Sequence, residues 1–218
     1  MKRVYFVRHG ESEGNAGNIR GHASHPLTEK GHQQSQLIAE RCSKLPIEYI
    51  ISSTMVRARE TGDTIAEKLG ITPEYSDLFI EAQAPSEFRG KPREDPELLL
   101  AQQQINENFG VPGWHFSDEE NFEDLKERAH KALERIVEVG KDHILVLTHG
   151  WFMRMVIAYA LFGDELTSHE ASKFVRAAHM ENTGLSILGY DETKENPWWL
   201  WVWNDHAHLS IKQELGKF

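Results

Sequence analysis

The sequence predicts an α/β protein in which a mainly parallel, mixed sheet lies between two helical layers, forming a three-layer α/β/α sandwich. The first observation is a pair of short apolar runs, residues 4–7 and 144–147, rich in β-branched side chains. Such runs are typical of buried parallel strands. The second is that each run is followed closely by a His-Gly pair. The third is that strand-like and helical stretches alternate along the chain, as they do in βαβ units.

Each element is assigned from its hydrophobic period and from the residues at its ends. Thr28 is a cap for the first helix and Pro46 ends it, while Gly70 closes the second. The last two strands are expected to form an antiparallel pair. The predicted strands lie at 4–7, 49–53, 143–148, 184–190 and 198–203, and the predicted helices at 29–43, 56–69, 122–139 and 151–162.

Residues 72–120 break this alternation. The segment carries many charges and five prolines, Pro73, Pro85, Pro92, Pro96 and Pro112. Prolines at this density interrupt regular elements, so one helix at 97–108 is the only long element expected there. We therefore expect a single domain over residues 1–218, with 72–120 as an insertion or cap over the carboxyl ends of the strands.

Composition excludes several functional classes. A formal net charge of −10 disfavours nonspecific binding to nucleic acid, since a polyanion would be repelled. Cys42 is the only cysteine, which excludes an internal disulfide framework. The longest apolar stretch, 155–162, is too short to span a bilayer, and the run before Arg8 is too short for a signal peptide. We expect a cytoplasmic protein with no membrane partner; the oligomeric state stays open.

Two histidines occupy equivalent places in the predicted sheet. His9 and His149 each follow a buried strand and each precede a glycine. In open α/β sheets, ligands bind at the carboxyl ends of the strands. The sequence therefore predicts one site built from both histidines, with Arg8 beside the first. A lone buried histidine at a strand end is more often structural, and the matching pair is what favours a functional site.

Four ordered blocks carry a family resemblance. They are Arg8-His9-Gly10-Glu11-Ser12-Glu13-Gly14-Asn15, the run from Leu27 to Gln34, the run from Ser52 to Thr61, and Thr148-His149-Gly150. In this order and spacing they resemble the histidine phosphatase superfamily, also called the phosphoglycerate mutase-like family. Arg-His-Gly alone is a weak signal, whereas the four blocks from residue 4 to about 190 are specific.

The resemblance assigns a role to each block. It implies that His9 is the nucleophile and forms a covalent phosphohistidine. Arg8 and Arg57 would clamp the phosphate, because a guanidinium matches two phosphate oxygens. His149 would stabilise the transferring phosphoryl group, with Asn15 donating through its amide. Gly10 and Gly150 would permit close backbone approach, Gly150 at the phosphate.

Two of these residues have alternative interpretations. Arg57 could instead be a surface residue paired with Glu60 at helical spacing. Asn15 alone would be interpreted as a turn residue between two glycines. The Ser-Ser-Thr run before Arg57 favours an anion site there, because a strand-to-helix turn presents backbone N–H groups.

The general acid is expected at Glu81, which occupies the position where the resembling family keeps its acid. Glu87 and Glu11 are the competing carboxylates. A carboxyl in this role must be protonated to help the leaving group depart.

Substrate-specificity candidates are Arg89, Lys91 and Trp151. Trp151 stands where the resembling family often has a small residue. Arg89 and Lys91 could meet a second anionic group, or could simply pair with nearby acidic residues in solvent.

Neither a metal nor a cofactor is expected. His22 with His25, or His206 with His208, could pair on a cation, but no carboxylate or cysteine completes a ligand set in sequence. Cys42 does not fit a cysteine-phosphatase nucleophile, since the residue six positions on is Glu48.

The leading functional hypothesis is a phosphomonoesterase that acts on a small phosphorylated substrate through phosphohistidine. The alternative is a phosphoglycerate mutase-type phosphotransferase, disfavoured by the chain length and by the character of 72–120. A third hypothesis, a noncatalytic phosphate-binding module, is disfavoured by the intact set of candidate site residues His9, Arg8, Arg57 and His149.

Overall fold

The computed structural model describes residues 1–210, which form a six-stranded mixed sheet with helices on both faces. The strand order is β3-β2-β4-β1-β5-β6. Strands β3, β2, β4 and β1 run parallel to one another. Strand β5 is antiparallel to β1, and β6 is antiparallel to β5. The strands are β1 Lys2–Arg8, β2 Tyr49–Ser53, β3 Glu74–Ser76, β4 His143–Thr148, β5 Leu185–Tyr190 and β6 Trp198–Asp205.

The helices begin and end largely where the end signals place them. Thr28 accepts a hydrogen bond from the Gly31 N–H, and Gly70 ends the third helix in the left-handed conformation at φ 66°. The α-helices are α1 Glu13–Ala16, α2 Glu29–Cys42, α3 Val56–Leu69, α4 Pro96–Asn108, α5 Phe122–Glu138, α6 Gly150–Phe162 and α7 Ser168–Ala177.

Alternating side chains of β1 build two cores. Val4 and Phe6 pack with α5 and α6 on one face, whereas Tyr5 and Val7 pack with α2 and α3 on the other. A strand buried on both faces needs apolar residues at consecutive positions, as this run supplies. The predicted three-layer α/β/α class is confirmed.

The insertion begins later than expected. Glu74–Ser76 pairs with β2 and extends the sheet, so the segment above the strand ends runs from 77 to 121. Its helix, α4, starts at Pro96 rather than at 97, because proline is well suited to the first helical position behind the Asp95 cap. Helices α1 and α7 are additional to those predicted from the sequence.

The insertion has a small core of its own, formed by Phe88, Leu98 and Ala101 with Phe116 against them. It is tied to the loop after β1. Ile19 and Pro92 form an isolated antiparallel bridge, and the Arg20 N–H donates to the Lys91 carbonyl at 2.9 Å. The insertion thereby becomes a wall beside the loop that follows the first strand. No helix within residues 1–210 is long and apolar enough to cross a membrane.

Candidate active site

The register of two neighbouring parallel strands brings the predicted histidines together. Arg8 of β1 is paired with Thr148 of β4, so the next residue of each strand leaves the sheet at the same height. The rings of His9 and His149 lie with centroids 5.0 Å apart, and the His9 N–H donates to the Thr148 carbonyl at 3.1 Å. One site therefore contains side chains 140 positions apart in the sequence.

The His9 ring is held in one orientation and in its neutral form. Its Nδ1 lies 2.6 Å from the Gly10 carbonyl, which can only accept, so Nδ1 carries the proton. Nε2 therefore has a lone pair, and it accepts from the Arg57 Nε–H at 3.2 Å. Burial, and then the charges of Arg57 and Arg8, hold the pKa of His9 well below its ordinary value. The nitrogen that faces the guanidinium is thus unprotonated near neutral pH.

The His149 ring also carries its proton on Nδ1. Its Nε2 lies 2.8 Å from the Ser53 hydroxyl, which already accepts from the Met55 N–H. Within residues 1–210 Nε2 is the only acceptor within reach of the proton of this buried hydroxyl, so we assign the Ser53 hydroxyl as the donor and the ring proton to Nδ1. That Nδ1 is buried and has no hydrogen-bond partner within residues 1–210. Burial and then the Arg57 charge keep the pKa of His149 well below its ordinary value, so the ring is neutral.

Two arginines flank His9, Arg57 buried and Arg8 partly buried. The Arg8 Nη1 donates to the Met180 carbonyl at 2.6 Å, while its Nε is buried without a partner in the described part of the chain. Arg57 is anchored through Nη1 to the His22 carbonyl at 2.9 Å. Burial lowers the pKa of both guanidinium groups, although they remain charged. Their environment favours an anion beside His9.

Close packing explains the two glycines beside the histidines. A Cβ at Gly10 would lie 2.6 Å from the Gly31 carbonyl oxygen, a distance that backbone cannot accommodate. A Cβ at Gly150 would lie 3.2 Å from Nε of Arg8. Gly10 therefore cannot carry a side chain without a backbone shift, whereas a side chain at Gly150 would displace the Arg8 guanidinium by a few tenths of an ångström.

Glu81 reaches the same site from the start of the insertion. Its Oε1 accepts from the N–H groups of Ala82 and Phe152, each at 2.9 Å, and Oε2 accepts from the Trp151 N–H at 3.3 Å. The carboxyl group is thus fixed at the amino terminus of α6, in the cavity that contains His9. Oε2 has the fewer hydrogen bonds of the two oxygens.

The two competing carboxylates lie elsewhere. Glu87 accepts from the Ser117 hydroxyl at 2.8 Å, and Glu11 pairs with Lys30 at 2.8 Å. Neither is among the residues that line the cavity, whereas Glu81 is.

A cavity of about 780 Å³ opens above His9, and His149 lies buried behind His9 rather than in the cavity lining. The walls of the cavity come from the insertion, from the loop around residues 20–23 and from the first turn of α6. Asn15 lines it, with Oδ1 held by the Ser12 N–H and hydroxyl at 3.2 and 3.1 Å, which leaves the amide NH₂ for a ligand. Among the described residues, no group of three or more His, Cys, Asp or Glu side chains could hold a metal ion.

Two of the three specificity candidates line the cavity and the third does not. Arg89 and Trp151 line the cavity, and the Trp151 ring packs edge-on against Phe109 with centroids 5.9 Å apart. Lys91 is paired with Glu97 at 3.2 Å and is not among the lining residues.

Several site residues escaped the sequence reasoning. Ser53, which sets the His149 tautomer, was seen only as part of a polar run. Asn182 donates through Nδ2 to the His9 carbonyl at 2.9 Å, from a loop with no motif of its own. Arg154 lies four residues after Gly150, so helical periodicity could have placed it at the cavity. Arg20, which lines the cavity beside Arg93, was also missed.

Comparison with known proteins agrees with this geometry. The model of the histidine phosphatase superfamily (branch 1) matches residues 4–206. The chain belongs to the histidine phosphatase superfamily. A relative named probable phosphoglycerate mutase GpmB, from Yersinia pestis (strain Pestoides F), is 31% identical over 222 residues, covering 97% of this chain and 96% of its own length.

Solved structures share the fold of this histidine phosphatase superfamily member. A variant of phosphoserine phosphatase from Entamoeba histolytica, in complex with phosphoserine, superposes with a TM-score of 0.77 at 21% identity, covering 96% of this chain and all of the other. A mycobacterial glucosyl-3-phosphoglycerate phosphatase in complex with VO3 also gives 0.77 at 21% identity, covering 94% and 99%. The resemblance predicted from the four sequence blocks is confirmed, and the protein is an enzyme of the histidine phosphatase/phosphoglycerate mutase superfamily.

Proposed function

We propose that the protein is a phosphomonoesterase that hydrolyses a small phosphate monoester through a covalent phosphohistidine on His9. The observation that carries this proposal is the state of Nε2 of His9. It is an unprotonated nitrogen, buried and hydrogen-bonded by Arg57, with Nδ1 tied to the Gly10 carbonyl. A neutral, oriented imidazole between guanidinium groups is suited to attack on a phosphorus atom.

In the first step, the Nε2 lone pair forms an N–P bond as the bond from phosphorus to the ester oxygen breaks. Arg8, Arg57 and the Nδ1–H of His149 donate to the three equatorial oxygens, where charge is spread in the transition state. Asn15 and the amino terminus of α6 at Gly150 add donors to the same phosphoryl group. When the phosphoryl group is bound, Arg57 donates to it in place of Nε2 of His9.

Glu81 serves the leaving group in the same step. A proton on Oε2 passes to the departing ester oxygen, so that the alcohol leaves neutral and Glu81 becomes a carboxylate. In the second step, the carboxylate takes a proton from water as the water oxygen attacks phosphorus and the N–P bond breaks. Inorganic phosphate is released, and His9 and Glu81 return to their starting states.

A phosphoglycerate mutase-type transfer is the second candidate, and the GpmB relative favours it by name. That relative matches this chain over nearly the whole length of both, so chain length does not separate the two functions. A mutase must keep its phosphohistidine from water and return the group to bound substrate. The difference lies in the fate of the intermediate rather than in the residues that form it.

Two assays run in parallel test the proposal. One measures phosphate release from p-nitrophenyl phosphate and a panel of metabolite monoesters, and the other measures conversion of 3-phosphoglycerate primed with 2,3-bisphosphoglycerate. We expect phosphate release without mutase turnover, unaffected by EDTA and lost in His9→Ala. His169→Gln, an exposed histidine of α7, is the control and should retain activity. Efficient mutase turnover with little phosphate release would make the second candidate correct.

A further inference from the structure

The cavity is unusually rich in positive charge for an acidic protein. Among the described residues, six arginines line it: Arg8, Arg20, Arg57, Arg89, Arg93 and Arg154. The chain as a whole has a formal net charge of −10. Arg8 and Arg57 account for one phosphate at His9. The remaining positive groups exceed what a single phosphoryl group requires.

Arg20 and Arg93 form a separate pair on the wall of the cavity. They come from the two segments joined by the bridge between Ile19 and Pro92, with the Arg93 N–H donating to the Asn18 carbonyl at 3.1 Å. The Arg20 Nη2 donates to Oε1 of Gln102 at 2.6 Å, which fixes the guanidinium. Its Nε is buried and has no partner within residues 1–210. A buried charged donor left unpaired is costly, which points to a missing acceptor.

The carboxylates in the same cavity are engaged elsewhere. Glu120 is paired with Arg128 at 2.6 Å, both side chains being nearly buried. Glu119 accepts from the N–H groups of Phe116 and Ser117 at 2.6 and 2.8 Å, and Glu81 is held at α6. None of these three carboxylates therefore supplies an acceptor to the Arg20 Nε–H.

The pair lies next to the phosphate-binding arginine. Arg57 is anchored to the His22 carbonyl, and a Cβ at Gly21 would lie 4.0 Å from the Arg57 Nη2, so the segment that carries Arg20 packs against Arg57. Burial and the Arg93 charge lower the pKa of Arg20, and Arg93 acts on Arg8 in the same direction. These positive charges repel one another, and an anion bound between them would reduce the repulsion.

We propose that Arg20 and Arg93 form a second anion site, which selects phosphate monoesters that carry another acidic group a short distance from the ester phosphate. The inference rests on the proposed function of the same cavity and adds the class of substrate. The second group is a carboxylate or another phosphate, since a guanidinium matches either in a bidentate way. Lys91, two residues before Arg93, is excluded from this site by its pairing with Glu97.

Matched substrates test the proposal. 3-Phosphoglycerate and glycerol 3-phosphate differ in a carboxylate, and fructose 1,6-bisphosphate and fructose 6-phosphate differ in a second phosphate. We expect kcat/KM to favour the more acidic member of at least one pair by about tenfold or more, as charge-assisted hydrogen bonds provide. The pair that shows the preference identifies the group. Equal kcat/KM within both pairs would overturn the proposal.

Substitutions of single residues test which side chains cause the preference for the more acidic substrate. Arg93→Gln changes an exposed residue and should reduce the ratio of the two kcat/KM values about tenfold, mainly by raising KM for the more acidic member. Arg20→Gln should do the same, and Lys91→Gln, which removes one charge from the same segment, should not. Loss of activity on both members alike in Arg93→Gln would contradict the assignment, as would an effect of Lys91→Gln equal to that of Arg93→Gln.

A binding measurement separates this inference from the proposed function. If none of the esters is turned over, the proposed function fails, but the site can still be titrated by calorimetry with 3-phosphoglycerate and glycerol 3-phosphate, and with the two fructose phosphates. Tighter binding of the more acidic member of either pair, lost in Arg93→Gln and kept in Lys91→Gln, would support the anion site by itself. Equal affinity within both pairs would overturn it.

Discussion

The floor of the cavity and its wall are built by different physical means. The floor consists of His9 after β1, which lines the cavity, and His149 after β4, which packs against it; hydrogen-bonded register and two cores hold both residues. The wall is built mainly by the segment from 77 to 121, with short 3₁₀ turns, one long helix and a core of three buried residues, and the loop around residues 20–23 joins it. We infer that the sheet fixes the positions of the reacting side chains, whereas substrate selectivity depends on a less strongly packed segment. The following changes test that division.

The largest effect of these substitutions is expected on the floor, at His149. Replacing His149 by Ala removes the buried Nδ1–H donor, and we expect kcat to fall roughly 10²–10³-fold, as for loss of one transition-state donor. KM should change much less, because the ground-state phosphate keeps both arginines. Steady-state kinetics with p-nitrophenyl phosphate measure the split. A rise in KM with kcat unchanged would show that His149 only binds the ground state.

Glu81 lies where floor and wall meet. The loss of activity on replacing it should depend on the leaving group of the substrate. Glu81→Gln retains the size of the side chain but removes the transferable proton. We expect a loss on the order of 10²-fold or more for alkyl phosphates and only a few-fold for p-nitrophenyl phosphate, whose phenolate leaves without an acid. Glu87→Gln is the matched control, since Glu87 bonds to Ser117 outside the cavity. Equal losses for both kinds of ester would remove Glu81 from the acid role.

Replacing Ser53 tests how much the orientation of His149 contributes to catalysis. Ser53 lies beneath the floor and contacts His149. Ser53→Ala removes the hydroxyl that donates to His149, and we expect kcat to fall about tenfold because the ring is no longer restricted to one tautomer. Ser52→Ala is the control, a neighbouring buried serine that bonds to the Ala58 carbonyl instead. Nitrogen NMR of labelled histidine should show mixed tautomers at His149 in Ser53→Ala and one tautomer in the wild type. An unchanged His149 signal would contradict this role.

The smallest catalytic effect is expected in the wall. Leu98→Ala opens the small core of the insertion and should raise KM a few-fold while leaving kcat for p-nitrophenyl phosphate nearly unchanged, because the segment can open locally. Leu145→Ala in β4 should instead lower the free energy of unfolding by about 2–5 kcal/mol. Chemical denaturation of both variants measures the contrast. Equal global destabilisation would show that wall and floor unfold as one unit.

The sequence predicted the floor well because its signals are local and periodic. The apolar run before His9 and the one before His149 each identify a buried strand, and parallel pairing then places their ends together. The tautomer set by Ser53 could not be predicted, since it depends on which of two adjacent hydroxyls faces the ring. Helix α7 had a usable signal, the Thr167 to Glu170 capping box. Strand β3 had little, being three residues long after a proline.

The wall was harder to predict for a physical reason. Arg20 and Arg93 meet because two irregular segments form a bridge, and no hydrophobic period marks such a contact. Lys91 and Arg89 are equally basic in sequence, yet one pairs with Glu97 and the other lines the cavity. Side-chain direction in an irregular segment follows from tertiary packing, which composition does not reveal.

Trapping the phosphoenzyme tests the central claim most directly. The enzyme is mixed with labelled p-nitrophenyl phosphate, quenched in denaturant at alkaline pH within one turnover, and digested for mass spectrometry. We predict an acid-labile phosphoryl group on Nε2 of His9, formed and lost at rates consistent with turnover and absent from His9→Ala. A phosphoryl group on any other residue, or turnover by His9→Ala at the wild-type rate, would contradict the account.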